Sequence, residues 1–296
     1  MINALVPSKD RACQLRLLLE SIKQNTNDVF TKIHILYTAS NDEYEAGYIK
    51  LQEEKILENI EWQREKDFTK DFIGTIIDYS AGYICGIVDD CIFYKKLPSG
   101  AGLIEQQFED DVFCFSFRMG LNTAVQDYLQ PKYKYYLQNP VVSPHFVKWN
   151  WLEWDSKLNY GYPISLDGHI YRGGELAELT TKYEFDYLRQ WEGILAGRTR
   201  RGGKVFDETN SLGDHMVAYR QNVLFSIPCN CVQDPPMISG QINPHTESDL
   251  NKRYLDGEVI DLNALEPMFQ NVSWCHNEIP LSFKFLQKEH EYARSN

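Results

Sequence analysis

The chain has 296 residues, 43% of them hydrophobic and 24% charged, which is ordinary for a globular protein and ample for a sizeable core. Its formal net charge of -12 argues against nucleic acid or an anionic membrane surface as the main partner, so an anionic ligand needs local help from a metal or a few Arg and Lys. No run approaches the length of a membrane span, and Met1 to Pro7 carries neither a basic region nor a long apolar stretch, so neither a transmembrane segment nor a signal peptide is expected. Seven cysteines, odd in number and without C-x-x-C spacing, fit a reduced, cytoplasmic protein.

The first half alternates strand and helix signals. Asn3 to Val6 reads as a strand, and Arg11 to Gln24 as a helix with Leu15, Leu18, Leu19 and Ile22 at helical spacing. A second strand is expected over Lys32 to Tyr37, a charged helix over Tyr44 to Glu58, and a short third strand over Ile60 to Trp62. Asp67 to Tyr79 reads as a helix with Phe68, Phe72 and Ile76 on one face. Tyr83 to Val88 is an apolar, β-branched run that fits a buried fourth strand. This rhythm predicts an α/β fold with a mostly parallel sheet flanked by helices.

The second half is more irregular and aromatic. Val112 to Phe117 reads as a strand and Ser165 to Arg172 as another, with helices expected over Phe185 to Leu195 and Asp214 to Leu224. Trp149, Trp151, Trp154, Tyr160 and Tyr162 suit either core packing or a platform for sugar rings. Arg198, Arg200, Arg201 and Lys204 form a basic, Gly-containing loop that suits either a solvated surface or closure over an anion. No repeat or linker breaks the chain, which predicts one domain over 1–296.

The fourth strand runs straight into Asp89 and Asp90. Parallel strands of open α/β sheets bind ligands at their carboxyl ends. Two adjacent acids repel and are tolerated where a cation sits between them and a phosphate, although an acidic turn gives the same pattern. The first strand ends in Pro7-Ser8-Lys9-Asp10-Arg11 as a helix begins, a turn that suits a nucleotide phosphate or ordinary capping by Ser8 or Asp10. It has none of the glycine patterns of dehydrogenases or P-loop enzymes.

Taken together, Pro7 to Arg11 and Val88-Asp89-Asp90 resemble a nucleotide-sugar glycosyltransferase of the GT-A fold. Phe115 to Asn122, Tyr162 to Ile170, Asn230 to Gln233 and Cys275 to Ile279 resemble the family-2-like transferases of bacterial and viral polysaccharide loci. The resemblance implies a Rossmann-like nucleotide-sugar-binding half over 1–120 and an acceptor-binding half with a C-terminal extension over 121–296. It implies donor contacts from Pro7, Ser8, Lys9, Asp10, Arg11, Asp89 and Arg118. It implies a divalent metal, Mn²⁺ or Mg²⁺, on Asp90 and His276, although Cys91 stands where a third acid is usual. An inverting transfer needs one carboxylate as base. By the same resemblance Glu192 is favoured, with Asp167 as a sugar or acceptor ligand, and the order of the two is open. The implied partners are a nucleotide-sugar donor and a glycan acceptor.

Other functions fit less well. A sugar-phosphate nucleotidyltransferase wants a Gly-rich turn that Pro7 to Arg11 lacks. Adjacent Asp89 and Asp90 cannot flank a glycosidic bond as hydrolysis requires. Cys91 keeps open a non-catalytic nucleotide-sugar- or glycan-binding protein with a degenerate site.

Overall fold

The computed structural model describes residues 1–125, 132–199, 212–230, 245–270 and 272–286. In the first half the elements are β1 (Ile2–Lys9), α1 (Ala12–Asn25), β2 (Phe30–Thr38), α2 (Asp42–Glu54), β3 (Ile60–Arg64), α3 (Phe68–Asp78), β4 (Tyr83–Gly86), β5 (Cys91–Phe93), α4 (Ala101–Glu105) and β6 (Val112–Ser116). There follow β7 (Val141–Val142), β8 (Phe146–Asn150), β9 (His169–Arg172), α5 (Gly173–Thr181), α6 (Leu188–Thr199), β10 (His215–Tyr219) and β11 (Leu224–Ser226). The last are α7 (Glu247–Leu255), β12 (Glu258–Ile260), α8 (Leu262–Leu265) and β13 (Phe283–Phe285).

Nine strands form one sheet in the order β3-β2-β1-β4-β9-β6-β10-β8-β7. β9 is antiparallel to both its neighbours and β8 to both of its own, so the other seven strands point the same way. The fold is therefore α/β with a mostly parallel central sheet and helices on both faces.

Alternation along the strands builds a core on each face. Ala4 and Val6 of β1, with Ile33 and Ile35 of β2, face one side, where Leu15, Leu18, Leu19 and Ile22 of α1 and Tyr48 and Leu51 of α2 cover them. Leu5 and Leu36 face the other side, against Phe72 and Ile76 of α3 and Trp191 and Leu195 of α6. Each fully buried Leu or Ile contributes roughly 1.5–3 kcal/mol, so the helical stripe of α1 alone accounts for a large share of its docking.

Several boundaries differ from the sequence expectation. Asp214 to Leu224 is not a helix but contains β10 and the start of β11. Met216, Val217, Ala218 and Tyr219 are all buried, and an apolar run buried on both faces has no period that separates strand from helix. The fourth strand stops at Gly86, two residues early, because the chain turns: the Cys91 N–H bonds the Val88 carbonyl at 3.1 Å around Asp89 and Asp90. Helix α5 was not anticipated, and the strand expected from Ser165 begins only at His169.

Candidate active site

The carboxyl ends of β1 to β4 open into a cleft of about 450 Å³. Pro7, Ser8, Lys9, Arg11 and Asp89 line it, together with Thr38 after β2, Glu65 and Phe68 after β3, and Tyr187 and Leu188 at the start of α6. Five of the seven residues expected to contact the donor thus share one cavity. Asp10 and Arg118 do not line it. Asp10 is buried in the left-handed region at φ 57°, and its carboxylate accepts from the Ser40 N–H at 2.7 Å and the Ser40 hydroxyl at 2.5 Å. Its work is to pin the β2–α2 loop that forms the cleft wall.

The acid pair has a cation from within the chain. Arg11 Nη1 lies 3.0 Å from Asp89 Oδ1 and 3.4 Å from Asp90 Oδ2. The same guanidinium donates through Nε to Asn230 Oδ1 at 2.8 Å and through Nη2 to the Asn230 carbonyl. Ser8 donates to Asp89 Oδ2 at 2.9 Å and is bonded to the Tyr48 hydroxyl at 2.7 Å. Arg11 and Asp89 are thus a buried, fully partnered unit that fixes the floor of the cleft. Tyr48 and Asn230 complete it. No local pattern marked Tyr48, since it sits mid-helix in a charged stretch, and Asn230 stood only within a motif.

Cys91 does not face the cleft. It is fully buried in β5, within the core on the α1 side, with its sulfur 3.3 Å from Ser226 Oγ. Where a third acid was looked for, this fold has a core position.

A second cluster adjoins the acid pair through a close backbone approach. A Cβ on Gly86 would stand 2.1 Å from Leu166 Cδ2 and 3.0 Å from Leu166 Cα, so glycine lets the 165–168 segment lie against the end of β4. The next turn uses Gly168 at φ +81°. Asp167 then meets Arg118, whose Nη1 lies 2.5 Å from Asp167 Oδ2. Arg118 Nη2 lies 3.3 Å from Asn159 Oδ1 and 3.2 Å from His276 Nδ1. Glu192 on α6 accepts from the Leu166 N–H at 2.7 Å. The structure therefore brings Asp90, Arg118, Asp167, Glu192 and His276 into one electrostatic neighbourhood.

Burial, then the charge of Asp167, pushes Glu192 up to about 7. Burial also raises Asp90; the negative charges of Asp89 and Asp167 add to this, while Arg11 and His276 oppose it. Cys275 moves down to about 7, because the positive charges of Arg118 and His276 outweigh a burial effect that alone would raise it. His169, buried at the start of β9 two residues after Asp167, is pushed down to about 3 by burial and then by Arg118. Four acids, Asp89, Asp90, Asp167 and Glu192, share this neighbourhood with the guanidiniums of Arg11 and Arg118 and with His276, and Lys9 lines the adjoining cleft.

Among the described residues, the group of three His, Cys, Asp or Glu side chains with ligand atoms within 4.8 Å of one another is Asp111, Asp214 and His215. It sits where β6 and β10 begin, at the amino ends of these strands, whereas the cleft lies at the carboxyl ends of β1 to β4, and Lys148 Nζ already holds Asp111 at 2.7 Å. Of the aromatic group, Trp149, Trp151 and Tyr160 are core: the two indoles donate to the carbonyls of Tyr160 and Gly213. Arg200, Arg201 and Lys204 lie outside the described residues, as does the side chain of Arg198. No described helix is long and apolar enough to cross a membrane.

No known family profile matches the chain. Across 302 residues it is 25% identical to the bifunctional glycosyltransferase pgtA of Dictyostelium discoideum, an alignment covering 96% of this chain. The chain is thus similar to a glycosyltransferase. It spans 38% of that relative's length. Among solved structures, TarS of S. aureus matches at 13% identity over 60% of this chain and 29% of that one, with a TM-score of 0.38. The bifunctional glycosyltransferase WbbM matches at 11% identity over 67% and 38% of the two chains, with a TM-score of 0.35. A cytidylyltransferase from Leptospira borgpetersenii matches at 9% identity over 67% and 71%, with a TM-score of 0.38.

Proposed function

We propose that the chain is a GT-A-type glycosyltransferase that moves a sugar from a nucleotide-diphosphate donor to a glycan hydroxyl with inversion. The supporting observation is Glu192, a half-buried carboxylate pushed up to about 7, set in an acid-rich cluster beside a cleft of about 450 Å³ at the strand ends. The distant likeness to a glycosyltransferase points the same way.

In this reading Pro7, Ser8, Lys9, Arg11 and Asp89 shape the donor cleft, Arg11 by holding the acid pair in place. A base must be unprotonated near the working pH yet basic enough to take a hydroxyl proton. Glu192 meets that demand. Asp167 is committed to Arg118 at 2.5 Å and orients the sugar or acceptor instead. In this reading Tyr187 and Leu188, from outside residues 1–120, add to the wall of the donor cleft.

The grouping of acids fits a divalent cation, with Asp90, held only at 3.4 Å by Arg11, as the first ligand. For His276 to join through Nδ1, Arg118 Nη2, 3.2 Å away, has to release that nitrogen. When bound, the cation neutralises the leaving diphosphate as a Lewis acid. Arg118 adds fixed positive charge, and Glu192 takes the acceptor proton.

The test is Glu192→Gln. Turnover is expected to fall by about 10²–10⁴-fold, the usual worth of a general base, with nucleotide-diphosphate binding unchanged. Near-normal transfer by that variant would remove Glu192 as the base.

A further inference from the structure

The cleft is long, and its two ends differ in chemistry. Asp89 lies past the end of β4 and Glu65 just past the end of β3, with β1 and β2 between them. That is three interstrand spacings of about 4.8 Å, roughly 14 Å, on the order of an extended nucleoside diphosphate. If the diphosphate lies at the acid pair, as the proposed function requires, the base reaches the β3 end.

Glu65 is the distinctive group there. It lines the cleft and is half-buried. Its backbone N–H is spent on the Tyr37 carbonyl at 2.7 Å, which fixes the residue as a continuation of the β2–β3 ladder. Its carboxylate has no hydrogen bond or ion pair among the described residues. Burial, then the charge of Asp71, raises its pKa, and Lys9 opposes this from the same cavity. A partly desolvated carboxylate without a donor is costly unless a ligand supplies one. Phe68, packed on Phe72, also lines this cleft.

We propose that Glu65 reads the donor's nucleobase and restricts it to one carrying a ring N–H, that is uracil (or thymine, which has the same edge) or guanine. The inference rests on the nucleotide-sugar reading of the cleft. The N3–H of uracil or thymine and the N1–H of guanine each donate to a carboxylate, and each stands beside a carbonyl that Lys9 can meet. Guanine adds a second donor from its amino group. Adenine and cytosine present a ring-nitrogen lone pair at the same edge, which a carboxylate repels.

The test is equilibrium binding of UDP, GDP, CDP and ADP to the full chain by calorimetry in the presence of Mn²⁺. UDP or GDP is expected to bind at least about tenfold more tightly than CDP and ADP, and the tighter of the two names the edge. Glu65→Ala should weaken that nucleotide by about ten- to a hundredfold, the worth of one hydrogen bond to a charged group. It should leave CDP and ADP nearly unchanged, and the melting temperature as well, since the carboxylate holds no part of the fold. Glu65→Gln keeps an acceptor oxygen and should recover part of the preference. CDP or ADP binding best, or Glu65→Ala weakening all four alike, overturns the inference while leaving the donor cleft standing. Failure of every nucleotide diphosphate to bind overturns the proposed function with it.

Discussion

Replacing Arg11 by Met keeps the aliphatic stem and removes the charge. The side chains left behind are buried: Asp89 is 5% exposed and Asp90 13%, against 11% for Arg11 itself. Breaking a buried ion pair by deleting one partner costs roughly 3–5 kcal/mol, because the remaining charge is neither solvated nor paired. At roughly 2–4 °C per kcal/mol, the melting temperature should fall by about 10 °C. The loss should depend on pH. Without Arg11, burial and the charge of Asp89 hold Asp90 above its unfolded pKa with nothing from Arg11 to oppose them. The folded state then binds a proton more readily than the unfolded one, so the penalty is full at alkaline pH and shrinks as pH falls through the raised value. Urea unfolding of both proteins at pH 8 and pH 5.5 measures this directly. A loss under about 1 kcal/mol at pH 8, or an equal loss at both pH values, would refute the view that Arg11 is the internal counter-ion of the acid pair.

Three further outcomes follow from the same geometry. Asp167→Asn should lower turnover less than Glu192→Gln, and steady-state rates of the two variants rank them; the reverse order makes Asp167 the base. His169 is held near 3 in the folded state against an ordinary value of 6.5, so its contribution is intact above pH 6.5 and is lost as pH falls. That amounts to about 2 kcal/mol between pH 7.5 and pH 5, and urea unfolding of His169→Gln should show a correspondingly flatter acid limb. Gly86→Ala should cost roughly 1–3 kcal/mol by overpacking against Leu166 and should also impair turnover, because that contact seats Asp167; unfolding and rate measurements together check it.

How much was legible in the sequence depended on the range of the interaction. The stripe of α1 and the alternation of β1 and β2 are local periodicities, so Leu15, Leu18, Leu19 and Ile22 could be read directly. The acid pair after the fourth strand was legible for the same reason, since strand and acids are contiguous. Its counter-ion was not: Arg11 sits 78 positions from Asp89, and nothing in Pro7 to Arg11 says whether the guanidinium turns to a ligand or to the protein. Asn230 is farther still, 219 positions from Arg11. Cys91 was read as a missing ligand because its neighbours are acids, yet its place in β5, paired with β11, makes it core. The strand at β10 was missed because full burial erases the period that would have marked it. Glu65 carried no motif, and only its place at the end of β3 reveals it.

The central claim is that the cleft at the ends of β1 to β4 delivers a nucleotide sugar to Glu192. Incubating the full chain with a panel of nucleotide sugars and Mn²⁺, and following release of the nucleoside diphosphate, tests it most directly. The account predicts release from at least one donor, by transfer or slow hydrolysis, that Glu192→Gln loses while still binding the nucleotide. Binding without turnover of any donor by the wild-type chain would contradict the catalytic account, and failure to bind any donor would contradict the site itself.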